Sequence, residues 1–319
     1  MIYYLKHNLH KLNWAMIGNV LGMVLVAQAC LMVLPVIVDL IYHEGIYDSY
    51  LIVIAICLVL GYVLTRKKAR VNSYFAKDGM IAVGLAWIVV SFFGGLPFYL
   101  SNEIPSFVDC FFEAVSGFTT TGSSILTEVE NLKHATLFWR SFTHWVGGMG
   151  VLVFIMAIIP SVCDRSIHIL RAEMPGPVMG KLVPKLKQTA KILYLIYIVM
   201  TVLEMILLLC GGMSLFDSAL HSFATAGTGG FGIKGDSIAS YSPYLQWVIA
   251  VFMFLFGINF NIYYLLLVRR FRSVLKSTET WCYIAICLIS VSIITGNIYS
   301  IYGNLPDSVR ASAFQVASL

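Results

Sequence analysis

Two short stretches rich in glycine and threonine decide the fold of this chain: SGFTTTGSS at residues 116–124 and ATAGTGGFG at residues 224–232. Each lies between two long apolar segments, and each follows a short apolar stretch that opens with Ser-x-x-Asp, at Ser106 and at Ser214. Small side chains contribute little to packing, so the value of such a run lies in its backbone. Glycine and other small residues let carbonyl oxygens approach closely whatever passes beside them.

The composition around these stretches is that of a membrane protein. Of the 319 residues, 59% are hydrophobic and 12% are charged, whereas a soluble domain carries about 25% charged residues. The apolar residues form blocks of about the 20 residues needed to cross a bilayer, and the first block is too long for a cleavable signal peptide. We therefore predict seven spans, at about 15–41, 49–65, 79–101, 136–162, 189–212, 243–268 and 279–302.

The net charge of +5 is distributed unevenly among the predicted loops. Basic residues concentrate at residues 66–77, 165–191 and 269–276, whereas the alternate loops are acidic. This is the positive-inside pattern with a cytoplasmic N-terminus, and it explains the basic charge without a nucleic-acid partner. It also requires residues 103–133 and 213–240 to leave and re-enter the membrane on the outer side.

An internal repeat relates the two glycine-rich stretches. Asp109 and Gly122 lie 108 residues before Asp217 and Gly230, and the intervening segments align without a gap. Each unit reads span, re-entrant helix, extended loop, span, and such a repeat governs the fold. We predict an all-α polytopic membrane protein built from repeated units of this kind.

The repeat divides the chain into four parts. We predict an N-terminal pair of transmembrane helices at 1–67 and a first pore unit at 68–165, with its pore helix at 106–117 and its filter loop at 119–123. The second pore unit occupies 166–272, with its helix at 214–226 and its loop at 227–231. A third unit begins at 273–319, and we expect the sequence to stop before its filter.

The ends of the re-entrant helices have a physical explanation. Ser106 and Ser214 are good N-caps, and Asp109 and Asp217 place a carboxylate in each first turn. The negative helix ends then point toward the membrane centre, where they favour a cation. Irregular backbone at that depth must be buried in protein or line a wet cavity.

Several motifs together resemble the Trk/Ktr/HKT family of potassium transporters. Residues 111–122 resemble its first selectivity filter, 221–231 its second, 139–150 the span after the first filter, 173–177 the cytoplasmic loop that follows, and 314–318 its third pore helix. Members have four units in one polypeptide, arranged pseudo-fourfold around one pore. The resemblance implies potassium uptake across a bacterial inner membrane, with K⁺ selected by backbone carbonyls.

The resemblance also implies the site and the partners. A glycine at the position of Gly122 goes with K⁺ passage and a serine with Na⁺. The family implies a homodimer and a cytosolic ring of nucleotide-binding regulatory subunits, while coupling to Na⁺ or H⁺ stays open. No covalent cofactor is expected, only the transported K⁺. The filter residues are Thr119, Thr120, Thr121, Gly122 and Ser123 in the first loop and Gly227, Thr228, Gly229, Gly230 and Phe231 in the second; K⁺ itself is assigned to Thr120, Thr121, Gly122, Thr228, Gly229 and Gly230.

The sequence departs from the family by containing only two filter stretches. Because two cannot encircle an ion, we expect the chain to be an incomplete piece of the transporter. One alternative is a pore-less regulatory or assembly subunit. A second is an intramembrane enzyme that uses Glu204, His144 or His221, although no Ser/His, Asp/Asp or His-Glu-x-x-His arrangement lies in the spans, and the scattered cysteines indicate no metal site or nucleophile.

Four further polar residues lie in or near the predicted spans. Arg140 is expected to pair with an acid such as Glu113 or Glu128. We read Glu204 as a protonated or hydrogen-bonded carboxyl that fixes helices around the filter, with cation attraction or proton coupling as the alternative. His221 is expected to anchor a helix rather than bind an ion, and His144 to pack at the membrane interface.

Overall fold

The computed structural model describes residues 12–66, 76–150 and 186–318, and every regular element in those ranges is an α-helix. The predicted all-α fold is confirmed. The predicted boundaries at 67 and 165, and the motif at 173–177, lie outside the described residues.

The N-terminal pair consists of α1 (Trp14–Leu31), which continues almost directly into α2 (Val33–Tyr42), and the returning helix α3 (Tyr47–Thr65). The buried Asp39 caps α3, because its carboxylate accepts hydrogen bonds from the backbone N–H groups of Ile46 (3.1 Å) and Tyr47 (3.1 Å). α1 and α3 approach closely at Gly22 and Gly61, where a Cβ on Gly22 would lie 2.8 Å from the Gly61 carbonyl oxygen. Small residues at a helix crossing permit this contact.

Two units follow, and each begins with a long helix and then a short one. The first contains α4 (Ala76–Leu100), α5 (Phe107–Phe118) and α6 (His134–Gly148), and the second contains α7 (Leu186–Cys210), α8 (Leu215–Ala226), α9 (Pro243–Phe256) and α10 (Phe260–Leu267). The short α11 (Phe271–Leu275) leads to α12 (Thr278–Tyr302) and α13 (Leu305–Ser318).

The three short helices α5, α8 and α13 begin in the same way. The backbone N–H of Asp109 donates to Ser106 Oγ (3.4 Å), that of Asp217 to Ser214 Oγ (3.0 Å), and that of Asp307 to Asn304 Oδ1 (2.9 Å). Each cap satisfies a backbone donor that the helix leaves free. The helices predicted at 106–117 and 214–226 are therefore found, each within one residue of its expected start and end.

The described residues contain five helices that are long and apolar enough to cross a membrane, or up to six if α9 and α10 count as one bent span. The span predicted at 49–65, the shortest of the seven, is among them as α3. The span expected at 136–162 begins as α6, which ends at Gly148, and residues 151–162 lie outside the described residues.

The span predicted at 243–268 is bent: α9 and α10 together are long and apolar enough for one span, but a break separates them. α9 and α10 meet at an angle of 86° around residues 257–259. Such a break frees backbone carbonyls, and buried ones need partners. Here Tyr263 Oη donates to the Leu255 carbonyl (2.6 Å) and Tyr283 Oη to the Phe254 carbonyl (3.1 Å). Because Tyr283 belongs to α12, apolar periodicity within residues 243–268 could not reveal the break.

Candidate functional site

The two glycine-rich loops leave their helices with the same backbone geometry. Thr120 (φ 56°) and Gly122 (φ 76°) are left-handed in the first loop, as are Thr228 (φ 57°) and Gly230 (φ 65°) in the second. Thr120 and Thr228 are 108 residues apart, and so are Gly122 and Gly230, which is the distance of the internal repeat. Non-glycine residues adopt this conformation only when the surrounding structure imposes it, so the match is a property of the site and not of local preference.

The residues between the left-handed positions, Thr121 and Gly229, do not have a positive φ. Alternating handedness turns successive peptide groups so that their N–H bonds align on one side, and their carbonyls then align on the other. In the first loop the N–H groups are tied back to α5, since Thr120 donates to the Gly117 carbonyl (3.0 Å) and Thr121 to the Ser116 carbonyl (2.9 Å). None of these bonds uses a carbonyl of residues 119–122, whereas the Ser123 carbonyl accepts from Ser116 Oγ (2.5 Å).

The two loops lie against each other through their glycines. A Cβ placed on Gly122 would overlap the carbonyl oxygen of Gly229, and a Cβ on Gly229 would lie 2.8 Å from the carbonyl oxygen of Thr120. Only glycine fits this approach of backbone to backbone. The structure therefore brings the two predicted filter stretches together, with carbonyl oxygens from both at their contact.

A cavity of about 310 Å³ lies beside the two loops. The C-terminal residue of α8, Ala226, lines it together with Thr120 and Thr228, and the break between α9 and α10 lines another part. Helix C-terminal ends carry partial negative charge, so the α8 end adds to the loop carbonyls in making the cavity favourable for a cation. The other lining residues include Gly148, Met149, Gly257, Asn259, Asn261 and Glu279.

A buried ion pair supports one flank of the first loop. Arg140 Nε donates to Glu113 Oε1 (2.5 Å), and both side chains are almost fully buried. The Glu113 carboxylate also accepts from Ser124 Oγ (3.0 Å) and from the Ile125 backbone N–H (3.2 Å). The expected pairing of Arg140 is confirmed, and its partner is Glu113 rather than Glu128.

The same arginine also reaches the second loop. Its Nη1 donates to the Gly232 carbonyl (2.8 Å), and its guanidinium lies 3.7 Å from the centre of the Phe231 ring. One side chain thus joins the flanks of both loops. The sequence did not predict this link, because Gly232 is 92 residues from Arg140 and carries no side chain to signal it.

His144 lies behind the second loop. We expected it at the membrane interface, and this was wrong, because it is fully buried. Its ring lies 4.1 Å from the Phe231 ring, and a Cβ on Gly229 would lie 2.6 Å from its Nδ1. His144 therefore packs against the backbone of the loop, in a position that α6 provides.

Glu204 and His221 lie on α7 and α8. The fully buried Glu204 on α7 is beside Thr225 of α8, yet neither carboxyl oxygen reaches a hydrogen-bond partner among the described residues. His221 packs edge-on against Tyr241, with ring centres 5.2 Å apart. His221 occupies the repeat position of Glu113, but Val248 stands where the first unit has Arg140, so the ion pair is not repeated.

The third short helix also approaches the site. A Cβ on Gly230 would lie 3.6 Å from Cβ of Ser318, the last residue of α13. The helix predicted from residues 314–318 therefore ends beside the second loop.

Comparison with known proteins identifies the family. Residues 47–294 match the family model TrkH, described as a cation transport protein. The chain is 34% identical to the Trk system potassium uptake protein TrkH of Salmonella typhimurium, with 97% of this chain and 65% of that protein aligned. It is 30% identical to the Trk system potassium uptake protein TrkG of Escherichia coli, with 86% of this chain and 57% of that protein aligned.

A solved structure agrees with the sequence comparisons. The crystal structure of the potassium transporter TrkH from Vibrio parahaemolyticus superimposes with a TM-score of 0.78 at 27% identity, covering 95% of this chain and 64% of that one. This chain thus spans slightly less than two thirds of the length of the TrkH relatives it matches. From its sequence and its fold, the chain belongs to the TrkH family of cation transport proteins.

Proposed function

We propose that this chain forms part of a potassium-uptake pathway across a bacterial inner membrane. The observation that carries the proposal is the contact between two loops with the same alternating backbone and with carbonyl oxygens at the contact. Such carbonyls replace the hydration shell of a permeating cation. The names of the relatives, potassium uptake proteins and a potassium transporter, favour K⁺ as that cation.

The proposed pathway runs from the loops to the cavity. A K⁺ ion sheds water against carbonyls of residues 119–123 and 227–231, with Thr120, Thr121, Gly122, Thr228, Gly229 and Gly230 as its main contacts. It then enters the cavity beside Ala226, where the negative helix end stabilises it. The membrane potential drives inward movement with about 2.3 kcal/mol per charge per 100 mV.

The remaining features of the proposal come from the charge pattern and the family. The basic loops favour a cytoplasmic N-terminus, so that both glycine-rich loops face the outer side. A homodimer and a cytosolic nucleotide-binding regulatory ring are proposed from the resemblance to the Trk/Ktr/HKT family. The chain is proposed to act without a covalent cofactor and without catalysing a reaction of its own.

The test is ⁸⁶Rb⁺ uptake in a host that lacks its own potassium uptake. The complete gene product is compared with Thr120→Pro, which blocks the hydrogen bond from the Thr120 N–H and the left-handed φ of that residue. We expect uptake with the native sequence and its loss in the variant at equal protein level in the membrane. Absence of uptake with the native sequence would favour the pore-less regulatory subunit instead.

A further inference from the structure

The helices α7, α9 and α10 enclose an apolar groove of about 540 Å³ on the outside of the second unit. Its one polar lining group, the Tyr263 hydroxyl, already donates to the Leu255 carbonyl. The walls are otherwise aliphatic or aromatic, and several of them are open to the surroundings, such as Leu203 (50% exposed) and Leu267 (66% exposed). The lining comprises Leu195, Ile196, Val199, Met200, Leu203, Phe252, Leu255, Tyr263, Leu266 and Leu267.

Two arginines are fixed at one end of this groove. α10 ends in a Schellman motif, in which the Arg269 N–H donates to the Leu266 carbonyl (3.0 Å) and the Arg270 N–H to the Leu265 carbonyl (2.9 Å). Arg269 is left-handed (φ 58°), a position where glycine is the usual residue. The two arginines therefore follow Leu266 and Leu267, which line the groove, with only Val268 in between.

The basic cluster continues onto α11. Arg272 and Lys276 join Arg269 and Arg270, and all four side chains are exposed. None of the four takes part in an ion pair within the part of the chain that the structure describes. Four uncompensated positive charges thus lie next to an apolar groove, on the side that the positive-inside pattern assigns to the cytoplasm.

We propose that the groove and the basic cluster together bind an anionic phospholipid of the inner leaflet. An acyl chain occupies the groove between α7, α9 and α10, and the phosphate lies at Arg269, Arg270 and Arg272. Arginine suits this role because its planar guanidinium binds phosphate oxygens in pairs. A zwitterionic lipid has the same acyl chains but no net negative charge, and a free phosphate ion has the charge but no acyl chain. Each therefore matches only one of the two parts of the site.

The helix α10 borders both the proposed lipid site and the cavity beside the glycine-rich loops. Phe260 and Asn261 of this helix line the cavity beside the glycine-rich loops, while Tyr263, Leu266 and Leu267 line the groove. A bound lipid therefore contacts the same eight-residue helix that borders the cavity. Lipid binding itself does not depend on which ion the protein transports.

Native mass spectrometry of the chain purified in neutral detergent tests the proposal, with phosphatidylglycerol and phosphatidylcholine as probes. We expect phosphatidylglycerol to bind at least tenfold more tightly than phosphatidylcholine, because each arginine near an anionic headgroup adds favourable electrostatic energy. The triple variant Arg269→Gln, Arg270→Gln, Arg272→Gln should lose this preference. Leu203→Trp, which fills the groove at unchanged charge, should weaken binding of both lipids.

Two matched controls separate a built site from general attraction. Arg66→Gln, Lys67→Gln, Lys68→Gln removes the same charge from another basic segment, and Val202→Trp enlarges an exposed α7 residue outside the groove lining. Both should bind phosphatidylglycerol as the native chain does. Equal loss in the charge control, or native binding by Leu203→Trp, would overturn the proposal.

Discussion

At the residue scale, Arg140 and Glu113 organise the surroundings of both loops. The pair contacts Ser124 and Ile125 beyond the first loop and Gly232 beyond the second. Removing one member of a buried ion pair leaves an uncompensated charge, which costs more than removing both. These two side chains therefore affect stability and the relative position of the loops together.

Arg140→Gln should destabilise the protein by about 3 to 5 kcal/mol, because Glu113 is left buried without its cation. The double variant Glu113→Gln, Arg140→Gln should be more stable than Arg140→Gln alone. Thermal unfolding in detergent measures both. As a control, Arg310→Gln breaks the partly exposed pair with Asp307 and the hydrogen bond from Arg310 Nε to Gln246 Oε1 (2.8 Å), and should cost about 2 kcal/mol or less. Equal losses for Arg140→Gln and Arg310→Gln would contradict the assignment.

Gly122 lies at the contact between the two glycine-rich loops. Gly122→Ser should lower the K⁺/Na⁺ permeability ratio of the complete transporter by about tenfold, equivalent to about 1.4 kcal/mol, because a Cβ there displaces the Gly229 carbonyl. Gly45→Ser is the matched control, since Gly45 has nearly the same φ (74°) and no atom lies within 4 Å of the point that its Cβ would occupy. Flux measurements should show selectivity lost in the first variant and retained in the second. An unchanged K⁺/Na⁺ permeability ratio in Gly122→Ser would contradict the proposal that Gly122 belongs to a filter.

At the scale of the element, the break between α9 and α10 is held by side chains that replace helical hydrogen bonds. Tyr263 and Tyr283 satisfy two carbonyls at the end of α9, and Asn259 Oδ1 accepts from the Asn261 N–H (3.0 Å) at the start of α10. Asn259 Nδ2 also donates to both carboxylate oxygens of Glu279 (3.2 Å each). The break is therefore a specified feature of the fold rather than a weak point in a helix.

Tyr263→Phe should lower the free energy of unfolding by about 1 kcal/mol, because a side-chain hydrogen bond between membrane helices contributes about that much. Tyr264→Phe is the control, because the Tyr264 hydroxyl makes no hydrogen bond within the described ranges. Unfolding midpoints of the two variants, measured side by side, provide the comparison. Identical midpoints would show that the Tyr263 hydroxyl does not stabilise the break.

At the scale of the whole molecule, Glu44 connects the N-terminal pair to the first unit. Its carboxylate accepts from the backbone N–H groups of His134 (2.9 Å) and Ala135 (3.3 Å) at the start of α6, and Oε1 lies 2.7 Å from His134 Nδ1. Desolvation raises the pKa of Glu44, but these hydrogen bonds and the charge of His134 outweigh it, so that the pKa lies below its ordinary value.

This link should weaken in acid. Because the pKa of Glu44 is lower in the folded protein, its stabilising effect is complete above the unfolded pKa and is lost as pH falls through the folded value. Between about pH 5 and pH 3, the melting temperature of the native chain should fall more steeply than that of Glu44→Gln. Glu128→Gln, which alters an exposed carboxylate, should keep the native slope. Parallel profiles for the native chain and Glu44→Gln would rule out this contribution.

The sequence by itself determined the helical class, the 108-residue repeat, the capped short helices and the two glycine-rich loops, because apolar periodicity, capping residues and glycine act over a few neighbouring positions. Only the tertiary structure decided that Gly122 meets Gly229, that Arg140 joins both loops, that His144 lies behind the second loop and that α9 and α10 break apart. Each of these depends on backbone atoms or side chains that are distant in the chain. Because every residue has a carbonyl oxygen, the sequence does not show where carbonyl oxygens come together.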